Sequence, residues 1–263
     1  MTMMEFAGET WGIFGRWILK TTRRPTILFF TLVKPIIWFF LFTEAFSAVG
    51  SIPGFQEITG TDNYKTFFTA AVIVQTVIAS ALNSGIGMVE DLDSGYLDKL
   101  RVAPIRRSSI LIGKVLSDGF RIVLQTIIIV VLALIAGVVI TTGFLGVVMI
   151  LVIAAAFGVA WSGISTYVAL TTKNAESTLV IGLLTTFPLL FLSTAVMPKP
   201  LLPEWVQSFS DINPISYVAD GVRSLVITGW EWDTLALTFL VILIVGAVTL
   251  TITTLKFRKS VIS

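Results

Sequence analysis

The chain has 263 residues, 55% of them hydrophobic and 13% charged. A soluble domain carries about 25% charge, so the usual water-facing shell cannot be built, and lipid is the solvent for most of this chain. His and Cys are absent and the net charge is only +2, which removes Ser–His and Cys–His nucleophile pairs and disulfides, argues against haem and zinc sites, and gives no reason to expect nucleic acid as a partner.

Residues 1–25 lack a continuous apolar core and do not read as a cleavable signal peptide. Ile13, Phe14, Trp17 and Ile18 fall on one helical face, with Arg16, Lys20, Arg23 and Arg24 on a neighbouring stripe. The pattern predicts an amphipathic interface helix, its rings in the acyl boundary and its cations at the phosphates of membrane lipids, turning at Pro25 into the first span.

Six stretches then approach the roughly 20 apolar residues that a spanning helix needs: 26–46, 67–88, 122–140, 144–170, 177–196 with Pro188 inside it, and 234–255. The whole chain, 1–263, reads as a single transmembrane domain of an all-α integral membrane protein, with two larger pieces outside the spans, 89–121 and 197–233. Lys34 and Glu44 in the first span are too far apart to pair within one helix, about 15 Å along its axis. Lys34 either snorkels to the surface or touches an anionic substrate or lipid. Fourteen of the eighteen Lys and Arg residues fall on the side of the N-terminus, the 89–121 loop and the C-terminus. By the positive-inside rule that side, with both termini, is cytoplasmic.

The cytoplasmic loop holds Glu90, Asp91, Asp93, Gly95, Tyr96, Leu97, Leu100, Arg101 and Pro104. Leu97 and Leu100 are spaced as on one side of a short helix, Gly95 permits a sharp turn and Pro104 ends the element. Such a helix rests on lipid or docks in a groove of a partner. A second element starts near Ser108 and runs into the third span. The outer segment carries Pro198, Pro203, Trp205, Asn213, Pro214, Tyr217, Asp220 and Arg223. Its prolines break helices, yet the pieces between are apolar and too short to span, which predicts re-entrant helices between spans five and six, or a lid over the helix ends.

These two loops, in this six-span layout, resemble the membrane subunit of an ABC-2 type exporter, in particular the daunorubicin-resistance permease branch, and the resemblance covers essentially the whole chain. The stretch 93–104 is similar to that family's Glu-x-Gly-Thr-Leu-Glu-x-Leu-x-x-Thr-Pro coupling segment, with aspartates for glutamates and Tyr96 and Ala103 for threonines. Ile112-Gly113-Lys114 resembles its entry to the third span, and the eight outer residues match its Pro…Pro-x-Trp…Asn-Pro…Tyr…Asp-x-x-Arg signature in order. The resemblance implies a coupling helix that inserts Tyr96, Leu97 and Leu100 into an ABC ATPase subunit, with the flanking charges at the rim and Arg16, Lys20, Arg23 and Arg24 as a second edge. It also implies a second permease chain, the same or related, and a plasma-membrane location. No phosphate-cradling Gly-x-x-x-x-Gly-Lys-Ser/Thr loop is present, so the chain is not itself an enzyme, carries no cofactor, and leaves Mg-ATP to the partner subunit. The cargo class is a drug, lipid or other amphiphile. The rival readings are a non-transporting structural or regulatory membrane subunit, or a membrane-embedded enzyme, which lacks paired carboxylates or a nucleophile with a base.

Overall fold

The computed structural model describes residues 3–23, 25–102 and 105–262. Arg24 and Pro104 lie outside the described residues, and so do the side chains at 3, 4, 25–28, 30–32, 97, 98, 101, 107 and 258–262, among them those of Leu97 and Arg101. Among the described residues the chain is all-α: α1 (Met3–Thr22), α2 (Pro25–Ala45), α3 (Phe55–Thr59), α4 (Tyr64–Asp93), α5 (Tyr96–Val102), α6 (Arg107–Ile135), α7 (Gly143–Thr172), α8 (Ala175–Phe191), α9 (Glu204–Ser210), α10 (Pro214–Val226) and α11 (Trp232–Ile262), with 3-10 turns at Ser47–Ser51 and Lys199–Leu201.

Four helices, within α4, α6, α7 and α11, are long and apolar enough to cross a membrane among the described residues. The first expected span corresponds to α2, part of whose side chains lie outside the description. The fifth ends at Phe191, not 196, because Pro188 has no N–H to donate one turn back and the helix closes within a turn. The third expected span, 122–140, is corrected at both ends. Its helix begins at Arg107 and stops at Ile135, before Gly137 takes a φ of +89°. The charged stretch 107–121 reads as loop only while its partners are unknown; they lie inside the bundle.

α4 is the central helix. α2 runs antiparallel to it, with Phe42 stacked on Phe68 at 5.5 Å and Lys65 paired with Glu44 at 2.7 Å. On its other flank α4 meets α7 at a glycine: a Cβ at Gly85 would overlap the Ser165 carbonyl, and Ser165 Oγ donates to the Ala81 carbonyl at 2.5 Å. Small residues and hydroxyl bridges are how helices close on each other where lipid supplies no hydrophobic drive. α11 joins α7 the same way, Thr249 and Thr253 donating to the Ala160 and Gly163 carbonyls at 2.6 and 2.7 Å. Gly85→Ala is therefore expected to destabilise the bundle by about 1–3 kcal/mol through overpacking against backbone. Gly119→Ala, whose new methyl would meet Val159 at an ordinary 3.6 Å, is expected to be tolerated. Thermal unfolding of the two variants in one detergent checks the contrast.

The elements sort into two ends. At one, α1 and α5 pack with the C-terminal ends of α4, α7 and α11 and the start of α6, around Ile13, Trp17, Met88, Leu100, Leu170 and Phe257. At the other, the α6–α7 turn and α10 meet the starts of α4 and α11.

Candidate functional site

At the α1–α5 end the amphipathic pattern of residues 3–22 forms the expected helix, but its predicted orientation is corrected. Ile13 and Trp17 are buried in protein, not in an acyl boundary. Gly113 of α6 and Gly87 of α4 allow this: a Cβ at either would press on Ile13 or on the Trp17 ring. The outward apolar residues of α1 are instead Trp11 and Leu19. Two of its cations, Arg16 and Lys20, face protein too, while Arg23 is exposed. Arg16 makes a bidentate bridge to Asp91 at 2.8 and 2.9 Å, and Lys20 reaches Asp91 at 2.8 Å and Glu90 at 3.1 Å. Glu9 accepts from Ser109 Oγ at 2.7 Å and from the Arg106 N–H at 3.2 Å, capping α6 from a neighbouring helix. Those hydrogen bonds, Ser109 first, hold its carboxyl below the usual carboxylate range, so the cap stays charged well below neutral pH.

Gly95, with φ +65°, turns the chain from α4 into α5. Of the residues expected to enter a partner, Leu100 is buried in this chain's own core, and Tyr96 lies half-buried beneath the Arg16 guanidinium, 3.3 Å from the ring centroid. Asp91, 2% exposed, is an internal anchor and not a rim charge. What α5 and its approach present outward among the described side chains is Asp93, Ser94, Lys99 and Val102, the last 87% exposed.

A second ionic cluster escaped the sequence reading. On the inner faces of α6 and α4, Lys114 donates to Ser84 Oγ and to Asp118 Oδ2 at 2.8 Å, while Ser84 donates to the same carboxylate at 2.5 Å. Arg121 pairs with Asp118 at 3.1 Å and with the Ser80 carbonyl at 2.9 Å. Lys114 and Asp118 are both buried. The i, i+4 and i+3 spacing of Lys114, Asp118 and Arg121 was the available signal; it was hidden by starting the span at Ile122. Lys114 also lies 5.0 Å over the Trp17 ring, with Lys20 at 4.8 Å, so one indole sits beside both clusters.

At the opposite end, the outer signature residues converge on the irregular chain after α8. Asn213 accepts from the Ile215 N–H, starting α10 ahead of Pro214 at its first position. Its amide donates to the Leu189 and Leu192 carbonyls at 2.6 and 3.0 Å. Arg223 pairs with Asp220 at 2.5 Å, donates to the Thr194 and Ala195 carbonyls at 2.8 and 3.1 Å, and lies over Phe67 at 4.0 Å. Tyr217 donates to the Asp211 carbonyl at 2.6 Å. Pro203 precedes α9 and Pro198 precedes the 3-10 turn; Trp205, with Phe209 and Ile212, is exposed. The other end of α10 is sealed by the α6–α7 turn, where Thr141 and Thr142 donate to the Val226 and Leu225 carbonyls. α10 is thus a 13-residue buried helix with polar termini satisfied by protein. Asn213→Ala is expected to cost about 1–2 kcal/mol, a lost cap plus two stranded carbonyls, read as a lower melting temperature with the same helical signal.

Between α2, α4 and α8 lies a cavity of about 380 Å³. Its walls are mostly apolar, with Trp38, Leu82, Leu183 and Leu190 among them; Lys34, Gln75, Thr76, Asn83 and Thr186 are polar.

No group of three or more Asp or Glu able to hold a metal occurs among the described residues. The two ends and the cavity are positioned by one contiguous stretch of chain, and comparison with known proteins matches the same stretch. Residues 9–227 fit the model of the ABC-2 type transporter family. The chain is 28% identical over 231 residues to a putative transport permease, ycf38, of Porphyra purpurea, covering 87% of this chain and 77% of that protein. It is 29% identical over 210 residues to the daunorubicin resistance ABC transporter permease DrrB1 of Streptomyces coeruleorubidus, covering 80% and 72%. A probable doxorubicin resistance permease, DrrC, of Mycobacterium tuberculosis is 27% identical over 161 residues, covering 61% and 55%. The family match runs from the docked α1 to the sealed end of α10, through both clusters and the cavity, and the chain belongs to the ABC-2 type transporter family, as a multi-pass membrane protein.

Proposed function

We propose that this chain is the permease subunit of an ATP-driven exporter, crossing the bilayer six times with both termini in the cytoplasm. A second permease chain completes the translocation path, and a separate ABC ATPase subunit binds Mg-ATP and supplies the energy. The cargo is a drug, lipid or other amphiphile. The observation that carries this reading is the braced α5. A seven-residue helix is marginal alone, yet here it is clamped by Leu100 and by Tyr96 beneath Arg16. A rigid short helix that presents Lys99 and Val102 can pass a push from a soluble partner into α4 and α1. The coupling surface is thus the outward face of α5 with Asp93, and Leu100 supports it from behind. The Trp11 and Leu19 face of α1 is left for the lipid surface.

The test is co-purification with the ATPase subunit and its hydrolysis rate. Wild-type permease is expected to bring the ATPase with it and to raise its rate. Val102→Asp combined with Lys99→Glu is expected to abolish most of that stimulation while the permease melts normally. Full stimulation and transport in the double variant would exclude α5 as the coupling surface.

A further inference from the structure

The cavity between α2, α4 and α8 has a chemical bias. Among the described lining residues Lys34 is the only charged one, and none is acidic. Lys34, Gln75 and Asn83 have no hydrogen-bond or ion-pair partner among the described residues. Gln75 and Asn83 are eight residues apart on α4, about 12 Å along one face, and Lys34 lies across from them on α2. An exposed cation and two half-buried amides therefore line one apolar space without a partner among the described residues, a polar set open to a ligand. The volume is within the usual range for small-molecule sites, which are mainly apolar with a few convergent polar groups.

We infer that this cavity binds an amphiphile with a single anionic group, carboxylate, sulfonate or phosphate, held by Lys34, with its apolar body against Trp38, Leu82 and Leu183. This rests on the reading of the chain as an export permease and names the charge class of its cargo. A cationic amphiphile would place like charges together. A neutral one would leave the ammonium uncompensated. A second copy packed symmetrically over this face adds another Lys34 and no acid from the described lining set.

The test uses the full chain in phosphatidylcholine nanodiscs and reads quenching of tryptophan by three dodecyl probes brominated at the chain end: a carboxylate, an alcohol and a trimethylammonium. Trp38→Phe identifies the quenching that belongs to the cavity. The carboxylate is expected to quench Trp38 saturably and at least tenfold more tightly than the ammonium. Lys34→Arg should keep that preference, and Lys34→Gln should weaken carboxylate binding about tenfold. Lys34→Glu should reverse the preference toward the ammonium, a gain that misfolding cannot imitate. Equal affinity for the two charged probes, no saturable quenching of Trp38, or an unchanged carboxylate affinity in Lys34→Gln would each overturn the inference. Adding phosphatidylglycerol separates sources. If it competes, the anionic group is that of a membrane lipid; if not, that of a free amphiphile. ATP hydrolysis by the complex with the ATPase subunit is measured in parallel. Hydrolysis stimulated only by neutral or cationic compounds, with no carboxylate binding, overturns the inference and leaves the export reading standing. Carboxylate binding at Lys34 without transport of any probe leaves the site and overturns the export reading.

Discussion

Asp118→Ala is expected to lower the stability of the bundle by about 3–5 kcal/mol, the usual cost of removing one partner from a buried ion pair. Asp118 is 2% exposed and is the single carboxylate facing both Lys114 and Arg121. Without it, among the described residues, Lys114 keeps Ser84, the Trp17 face and the more distant Asp91 charge, and Arg121 keeps Ser80. Two cations would then sit inside the bundle with no carboxylate bonded to them, Asp91 acting on Lys114 only from a distance. The cost arises from that stranded charge, so removing the charge with its partner should recover it. Lys114→Met with Asp118→Leu is expected to melt much closer to wild type, since apolar replacement of a buried pair is often neutral or stabilising. Thermal unfolding in detergent of the single and double variants measures both effects. An Asp118→Ala protein melting like wild type would show that the cluster carries no stability.

The sequence and the structure agree most closely where periodicity decides the outcome, and part where it does not. The helix at 3–22 was legible because Ile13 and Trp17 repeat at helical spacing. Its burial was not, because an apolar face reads the same against lipid or protein. The deciding residues are Gly113 and Gly87, on other helices, which let α1 come close. Leu100 illustrates the same limit: spacing puts it on a face of α5, but whether that face turns outward depends on the bend at Gly95 and the grip of Arg16 on Tyr96. In the outer segment, prolines were read as breaks. Asn213 followed by Pro214 is equally a helix start, and the chain uses it so. Asp118 stayed unseen because a span drawn from hydropathy begins where the charges end, and these charges satisfy one another inside the helix pair.

The same logic makes Asp91 the test of how α1 is held. Asp91→Ala is expected to cost about 2–3 kcal/mol, less than the full penalty for a buried pair, because the Arg16 and Lys20 side chains are 29% and 19% exposed and water can reclaim part of their charge. Its effect on energy transfer should exceed its effect on stability. Asp91 fixes Arg16, and Arg16 holds Tyr96 at the start of α5, so losing the carboxylate frees both α1 and the short helix that presents Val102. Stimulation of the ATPase subunit is therefore expected to fall several-fold while the subunit still co-purifies, and α1 should become more open to protease. Asp93→Ala, an exposed neighbour, should leave the melting temperature unchanged within error. Exchanging the pair as Arg16→Asp with Asp91→Arg, together with Lys20→Gln to remove the like charge that Asp91→Arg would meet, tests the geometry directly: partial recovery of stimulation would place the coupling in the bridge itself, whereas a loss as deep as that of Asp91→Ala with Lys20→Gln would place it in the orientation of the Arg16 guanidinium over Tyr96, which the exchanged pair cannot reproduce.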